Sequence, residues 1–331
     1  MTARAKTLFL LTLTAALGAC GGGGGGGGSA TASTGFAKIS TDNAPAISAA
    51  VVDSALESGE IGDLVESAPL VSIGGINGLG KTGIGMLGKL GSTPAAGPAA
   101  WYQAMIGPIK IDCAVNGSVT LSGEQTDPTA PSAGDRFGLI FDKCDDGAGE
   151  VIDGGFEFVV TSIDGNVDTG EFAMSVSMTV SGLSVTGADG TEFVDGKVDI
   201  GIDTSEPPVS SITVSGETLT IGENSVTRSL ADFATHATLD NSIAPAAYAI
   251  ESAGSVMSSE FDGEIVYSTP VTFQGSGDEY PYAGEFLITG DAGASIRLIA
   301  MDNVKVLLLI DEDGDGAEDF TIETTWDAIR N

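Results

Sequence analysis

The sequence predicts an all-β fold: a large antiparallel meander with a short N-terminal helical segment. After Pro108, apolar and polar side chains alternate with a period of two over 156–160, 174–180 and 198–202, as in strands that are exposed on one face. Asp-Gly pairs recur at the ends of many such runs, where a tight hairpin turn needs a positive φ angle. The Asp residues of these pairs are Asp146, Asp153, Asp164, Asp189, Asp195 and Asp262.

The number of these runs limits the possible architectures. Residues 109–326 have room for about a dozen strands, and open sheets of that size rarely stay flat. The sequence therefore predicts a barrel, a half-barrel or two stacked sheets, and it does not choose among them.

Composition and charge exclude some classes of function. Among 331 residues, 46 are Asp or Glu and 13 are Lys or Arg, which gives a formal net charge of −33. Hydrophobic residues make up 42% of the chain, enough for a sizeable core, so the acidity does not indicate disorder. A charge of this sign and size repels phosphate backbones, which excludes nucleic acid as a partner. One His and two Cys besides Cys20 are too few ligands for a structural zinc site.

The N-terminus has the pattern of a lipoprotein signal peptide over residues 1–19. Arg4 and Lys6 precede a short apolar run that is followed by small residues. The segment 17–20, Leu-Gly-Ala-Cys, resembles the lipobox of bacterial lipoproteins, in which the Cys is acylated with fatty acids such as palmitate and the signal is removed before it. The resemblance implies that Cys20 carries the lipid; an ordinary secretory signal that contains a Cys is the alternative. Several acyl chains would anchor the protein stably to a membrane.

The residue after the lipidated Cys influences sorting in that family. Gly21 does not carry the signal for retention in the inner membrane, so the resemblance implies the outer membrane, with the periplasmic or surface face left open. Residues 20–35 are rich in Gly and predict a flexible tether. The expected organisation is a helical and then Gly-rich irregular segment over 36–107, followed by an antiparallel β domain over 108–331.

A helix is predicted over residues 43–57. Asn43 is a potential capping residue and Pro45 would lie in the first turn. The apolar face of this helix would comprise Ile47, Val51, Val52, Ala55 and Leu56. A second short helix is expected near residues 61–65. We expect the Gly-rich segment to dock onto the β domain through Trp101, Tyr102 and Met105.

Cys113 and Cys144 are the pair that remains once Cys20 is assigned to the lipid. They flank a hairpin-like segment of an exported chain, which predicts a disulfide bond. Two buried free thiols are the alternative.

The segment 311–319 has the strongest chemical signal. Carboxylates stand at its positions 1, 3, 5 and 9 and a Gly at position 6, the spacing of calcium loops. Position 12 is Ile322 and strands are predicted on both sides, which excludes an EF-hand. The segment resembles the D-x-D-x-D-G-x-x-D loop of calcium-binding β-hairpins in integrin-type propellers. An acidic turn without an ion is the alternative. On the resemblance, one Ca²⁺ would be held by side-chain oxygens of Asp311, Asp313, Asp315 and Asp319 and by the backbone carbonyl of Ala317.

Two weaker patterns concern enzymatic chemistry. Residues 75–82 fit the P-loop pattern, and residues 307–312 look like the second motif of nucleotide hydrolases. A P-loop needs a helix that starts at Lys81, but four glycines follow within ten residues, so nucleotide binding is only a distant alternative. His236 is the single histidine and no G-x-S-x-G motif accompanies it, so no catalytic residues are assigned and an enzyme is not expected.

Most of the mature chain resembles, diffusely, a group of uncharacterised β-rich bacterial lipoproteins. The similar segments are Cys113 with 117–120, 144–147, 280–285, 313–316 and 324–326. The resemblance implies a cell-envelope location and an all-β body. We therefore expect a non-enzymatic binding or structural β module attached to the membrane by its lipid, with its protein or polymer partner open. A carrier of lipid or another apolar ligand is the main alternative, because a curled sheet can enclose an apolar groove.

Overall fold

The structure, a computed structural model, describes residues 35–57, 108–127, 131–167, 169–188, 190–277 and 279–330. Its two α-helices are α1 (Ala44–Glu57) and α2 (Trp326–Arg330). The first seven strands are β1 (Ile109–Asp112), β2 (Asn116–Glu124), β3 (Arg136–Asp145), β4 (Val151–Asn166), β5 (Glu171–Gly187), β6 (Gly190–Asp203) and β7 (Val209–Glu223). The other seven are β8 (Val226–Asp240), β9 (Ala247–Ser258), β10 (Glu264–Ser276), β11 (Ala283–Thr289), β12 (Ser295–Ala300), β13 (Lys305–Asp311) and β14 (Phe320–Thr325).

The strands form one antiparallel sheet in sequence order. Each strand pairs with the strands before and after it in the chain, from β1 at one edge to β14 at the other. The predicted antiparallel meander with a short N-terminal helix is therefore confirmed. The described strands belong to a single sheet that is not closed into a barrel, so the closed barrel and the two stacked sheets do not occur.

Several Asp-Gly pairs lie inside strands instead of at turns. Gly147 and Gly263 are in hairpin connections as predicted, whereas Gly154 and Gly196 are within β4 and β6, beside shifts in the strand register. Gly154 has a φ angle of 88°. A positive φ angle serves a β-bulge as well as a turn, so the pattern alone does not distinguish them. As a result β4 and β5 are single strands of 16 and 17 residues.

The buried hydrophobic side chains form two large clusters, one in each half of the sheet, and a small third cluster of Val160, Met174 and Val176. We call β1–β8 the long-strand half, and β9–β14 with α1 and α2 the short-strand half. The core of the long-strand half is largely aliphatic and includes Ile152, Met178 and Val198. The core of the short-strand half is rich in aromatic side chains; its largest fully buried residues include Tyr267, Phe273, Phe286 and Trp326.

Helix α1 confirms the predicted helical segment and is packed into the short-strand half. Ile47, Val51 and Val52 are fully buried and join the core formed with β9–β13. Asn43 does not cap the helix with its side chain as expected; its Oδ1 accepts the N–H of Ser40 at 2.8 Å and stabilises the preceding turn. Helix α1 contacts β8, β9 and β12, so the helix and the sheet share one core.

An ion-pair network fixes α1 to the sheet and to α2. Asp53 lies 3.2 Å from Arg228 of β8 and 3.6 Å from Arg330 of α2. Arg228 also pairs with Glu260 at 3.1 Å. Burial raises the pKa of Asp53, and the two guanidinium groups oppose that effect.

The predicted disulfide between Cys113 and Cys144 is confirmed. Cys113 follows β1 and Cys144 lies in β3, with a Cα–Cα distance of 5.5 Å. The bond links the connection between β1 and β2 to β3. It closes a segment with a sequence separation of 31, a constraint that lowers the entropy of the unfolded chain.

Other predictions concern residues outside the part of the chain that the structure describes. These are the signal peptide over 1–19, Cys20, the tether over 20–35 except Gly35, the helix near 61–65, the P-loop pattern over 75–82, and Trp101, Tyr102 and Met105. Among the described residues, neither α-helix combines the length and the apolar character that a membrane-spanning helix needs.

Candidate metal centre

The acidic segment forms the connection between β13 and β14. Strand β13 ends at Asp311 and β14 begins at Phe320, so the predicted flanking strands are confirmed. The two strands pair in unbroken register up to Ile310 and Phe320. The N–H of Asp319 donates to the carbonyl oxygen of Ile310 at 2.8 Å and closes the hairpin. This connection, residues 312–319 together with Asp311, is the acidic hairpin loop.

Asp311 is the centre of the acidic hairpin loop. Its side chain is buried, with 6% exposure, at the end of a strand. Its Oδ1 accepts the N–H of Gly314 at 2.7 Å and its Oδ2 accepts the N–H of Gly316 at 2.8 Å. Gly314 has a φ angle of 75°, and a Cβ atom there would lie 2.4 Å from the carbonyl oxygen of Ala292. Only glycine therefore lets the chain wrap around Asp311 at this point.

Three of the four predicted carboxylates converge. One oxygen from each of Asp311, Asp313 and Asp315 lies within 4.8 Å of the others. Within the described ranges this trio is the one group of potential metal ligands of this kind. Asp319 is oriented differently, with Oδ2 accepting the N–H of Glu312 at 2.9 Å. Ala317 donates its N–H to Asp315 at 2.8 Å.

The chemistry of the trio suits a hard cation. Carboxylate oxygens are the preferred ligands of Ca²⁺, which accepts irregular sets of six to eight oxygens from side chains, backbone carbonyls and water. Each carboxylate oxygen has two lone pairs, so both oxygens of Asp311 can accept an N–H and still coordinate an ion. The exposed Asp313 and Asp315 leave room for water ligands.

Glu312 has a role that the sequence does not reveal. Its Oε1 accepts the N–H of Thr41 at 2.5 Å and the hydroxyl of Thr41 at 2.6 Å. These hydrogen bonds lower the pKa of Glu312, because they stabilise the charged form. Thr41 lies in the turn before α1 and is 271 residues away in sequence, so no local pattern indicates the contact. The acidic hairpin loop is thereby attached to the N-terminal end of α1.

A cation of the protein itself lies beside the acidic hairpin loop. Arg297 on β12 is 3.6 Å from Glu318 and forms a two-pronged pair with Glu285, at 2.7 Å through Nε and 3.0 Å through Nη2. The hydrogen bonds that Arg297 donates to Glu285 raise the pKa of Arg297, because they stabilise its charged form. The positive charge of the guanidinium therefore compensates the charge of Glu285 more than the charges of the three converging carboxylates.

The weaker sequence candidates lie elsewhere. His236 is exposed on β8, with Nδ1 3.2 Å from the hydroxyl oxygen of Thr213. In the segment 307–312, which looked like a nucleotide-hydrolase motif, residues 307–311 belong to the antiparallel strand β13, and Glu312 follows in the acidic hairpin loop and accepts a hydrogen bond from Thr41.

The trio of carboxylates is consequently the best-defined chemical site among the described residues. Comparison of the chain with protein-family models, with curated proteins and with solved structures finds no match.

Proposed function

We propose that the protein is a lipid-anchored component of the cell envelope and that its sheet is a non-enzymatic binding or structural module stabilised by one Ca²⁺ in the acidic hairpin loop. The observation that carries the proposal is the convergence of Asp311, Asp313 and Asp315 within 4.8 Å. Asp319 and the carbonyl of Ala317 are the further ligands that we propose from the loop resemblance.

The disulfide supports the envelope location. Disulfides form and persist in oxidising compartments and are rare in the cytosol. The Cys113–Cys144 bond therefore fits a chain that is exported before it folds. The signal pattern that ends at Cys20 supports the same location and supplies the attachment to the membrane.

The outer face of the long-strand half supports a binding or structural role. On β5 this face presents short polar side chains, Ser175, Ser177 and Thr179, opposite the buried Val176 and Met178. Short side chains let another molecule approach the backbone of the sheet closely. Along β5 this face is hydrophilic, and a polymer or a protein can contact it there.

Calcium would act on the acidic hairpin loop and on α1 together. Neighbouring carboxylates repel one another, and a divalent cation removes that repulsion. Glu312 would transmit the ordering of the loop to Thr41 and the turn before α1. Extracellular calcium modules bind with dissociation constants of about 10⁻⁴–10⁻³ M, and a concentration 100 times higher would add roughly 2.7 kcal/mol of stability.

The test is a melting experiment with matched charge controls. We expect CaCl₂ to raise the melting temperature of the wild type above its value in NaCl at equal ionic strength. Asp313→Asn/Asp315→Asn should lose this increase, because it removes two ligands. Asp142→Asn/Asp199→Asn changes the charge equally on exposed strand positions and should keep it. An equal increase in all three proteins would mean that calcium acts on the diffuse negative charge, and the metal site would be wrong.

The lipid anchor has its own test. Cells that express the protein would be labelled with radioactive palmitate, and the wild type compared with Cys20→Ala. We expect label only in the wild type, because the proposed acylation begins at the Cys20 thiol. Label that survives in Cys20→Ala would exclude this anchor.

A further inference from the structure

The outer face of the sheet, opposite the buried core, differs between the two halves. In the long-strand half, a cross-strand row on this face over β5, β6 and β7 consists of the polar residues Ser177, Asp199 and Ser215. In the short-strand half, two neighbouring rows across β10–β14 include large apolar side chains. One row is Val271, Glu285, Ile299, Leu307 and Glu323, and the other is Ser268, Leu287, Arg297, Leu309 and Thr321. These ten residues, together with Lys305 on the same face, are the outer patch.

The apolar side chains of the outer patch are accessible. Val271 is 51% exposed, and the others are half-buried: Leu287, Ile299, Leu307 and Leu309. On the opposite face of β12 and β13, the apolar side chains are buried in the core that these strands share with α1 and α2. Adjacent strands are about 4.8 Å apart, so the patch extends about 19 Å across β10–β14. A contiguous apolar surface of this kind marks a site of contact with another molecule.

The charges of the outer patch are paired. Arg297 donates to Glu285 at 2.7 Å and 3.0 Å, and Nζ of Lys305 lies 2.7 Å from Oε1 of Glu323. The two pairs sum to zero, in a chain whose formal net charge is −33. An unbalanced acidic surface repels a second copy of the same chain. The outer patch lacks that excess of negative charge, so two copies can approach each other through it.

We infer that the outer patch is a self-association surface and that its partner is a second copy of this chain. A two-fold rotation presents the same surface on both copies, so a positive group of one can face a negative group of the other. Lys305 and Glu323 are about half exposed, at 52% and 53%, and are available for such contacts. A partner with charges of one sign would leave one member of each pair uncompensated.

The expected interface has the usual anatomy of an apolar centre and a charged rim. Ile299, Leu307 and Leu309 would form the centre, between two sheets that pack face to face at about 10 Å. The pair of Lys305 and Glu323 would lie at the rim. The polar rows of the long-strand half would stay outside this contact.

Photocrosslinking in intact cells identifies what covers the outer patch. Two full-length copies with different epitope tags would be co-expressed, one of them with a photoreactive phenylalanine analogue at the exposed Thr321. After irradiation, the first tag would be purified under denaturing conditions and the product probed for the second tag. We expect a crosslinked product that contains both tags.

Two substitutions show whether the apolar centre is responsible. Leu307→Glu in both copies should reduce the doubly tagged product by about tenfold or more, because it places unpaired carboxylates in the apolar centre. Thr213→Glu adds the same charge on the outer face of the long-strand half and should leave the yield unchanged. Equal yields in the wild type and Leu307→Glu, or no doubly tagged product in the wild type, would overturn the inference. So would a crosslink to a different protein or within a single chain.

A charge exchange tests self-complementarity without touching the apolar centre. Lys305→Glu makes the patch acidic and Glu323→Lys makes it basic, and both side chains are exposed enough to change without loss of the fold. When both copies carry the same substitution, like charges meet and the product should fall. When one copy carries Lys305→Glu and the other Glu323→Lys, the product should exceed that of either matched pair by about fivefold or more. No recovery in the mixed pair would contradict pairing of the patch with itself.

Discussion

The two halves of the continuous sheet differ in the length of their strands and in the regularity of their pairing. Strands β4–β8 of the long-strand half have 14 to 17 residues, and β11–β14 of the short-strand half have six or seven. Register shifts interrupt the pairing of β4 with β5 and of β6 with β7. The pairing from β11 to β14 has none.

The difference shows how the sheet accommodates long strands. A bulge bends a long strand and increases its twist, so a long strand can follow the curvature of the sheet. The short strands β11–β14 pair without such shifts. The aromatic core of the short-strand half does not follow strand length, because Tyr267 and Phe273 lie on the longer β10, whose pairing is shifted in register, and Trp326 lies on α2.

The largest expected effect comes from removing the aromatic centre of the short-strand half. Trp326 is fully buried and its ring lies 6.0 Å from that of Phe273 and 5.8 Å from that of Tyr280. Its Nε1 donates to the carbonyl oxygen of Pro281 at 3.1 Å. We expect Trp326→Ala to lower the free energy of unfolding by about 3–5 kcal/mol through the cavity it creates, measured by urea unfolding.

The same experiment tests whether the halves are thermodynamically separate. Because β8 and β9 pair along most of their length, we expect a single unfolding transition in Trp326→Ala. Phe320→Ala, at a site 47% exposed, should change stability by less than about 0.5 kcal/mol. Two transitions in Trp326→Ala would show that the short-strand half unfolds alone.

The second effect concerns the bulges of the long-strand half. A Cβ atom at Gly154 would lie 2.1 Å from the carbonyl oxygen of Gly182 on β5, and Gly149 has a similar φ angle of 94° with nothing within 4 Å. Changing either glycine to Ala costs about 1–2 kcal/mol of stability, because a residue with a Cβ atom disfavours the left-handed backbone. We expect Gly154→Ala to be less stable than Gly149→Ala by a further 1–3 kcal/mol or so, because of the clash. Equal melting temperatures would argue against a tightly packed bulge.

The smallest effect is the pH dependence of the helix attachment in the short-strand half. Burial raises the pKa of Asp53 above its ordinary 3.8, so its contribution to stability is present below that pH and is lost as pH rises through the folded-state pKa. Hydrogen bonds from Thr41 lower the pKa of Glu312 below its ordinary 4.5. The contribution of Glu312 is therefore present above that pH and is lost as pH falls through the folded-state pKa.

The two carboxylates can be separated by substitution. The stability of the wild type relative to Asp53→Asn should fall as pH rises above 3.8, and its stability relative to Glu312→Gln should fall as pH drops below 4.5. Urea unfolding across this pH range measures both differences. If both stability differences changed with pH in the same direction, the opposite pKa shifts of Asp53 and Glu312 would be contradicted.

The fold was predictable where the signal is local. Alternation over 174–180 predicted a strand that is half exposed, and it lies within β5. Asn43 and Pro45 marked the beginning of α1 to within one residue. The bulges at Gly154 and Gly196 were not predictable, because an Asp-Gly pair supplies the same positive φ angle in a bulge and in a turn.

The candidate site also has one part that the sequence predicted and one part that it did not. The spacing of Asp311, Asp313 and Asp315 within a few residues predicted their convergence, because a tight loop after a strand brings alternate side chains together. The contact of Glu312 with Thr41 depends on how residues far apart in sequence are placed by the whole fold. No pattern in the sequence predicts that these two residues are in contact.

The meander also sets an order of assembly. Every strand pairs with its neighbours in the chain, so a chain made from its N-terminus can extend the sheet hairpin by hairpin, each new strand adding to an existing edge. Helix α1 is the exception: it precedes the described strands in the chain, yet its main contacts are with β8, β9, β12 and α2. Pulse-labelled hydrogen exchange during refolding should find the amides of β4 and β5 protected before those of α1, and the reverse order would exclude this sequence of events. Helix α1 would then be among the last of the described elements to reach its place, and the apolar side chains it covers would stay exposed until β12 and α2 have been made.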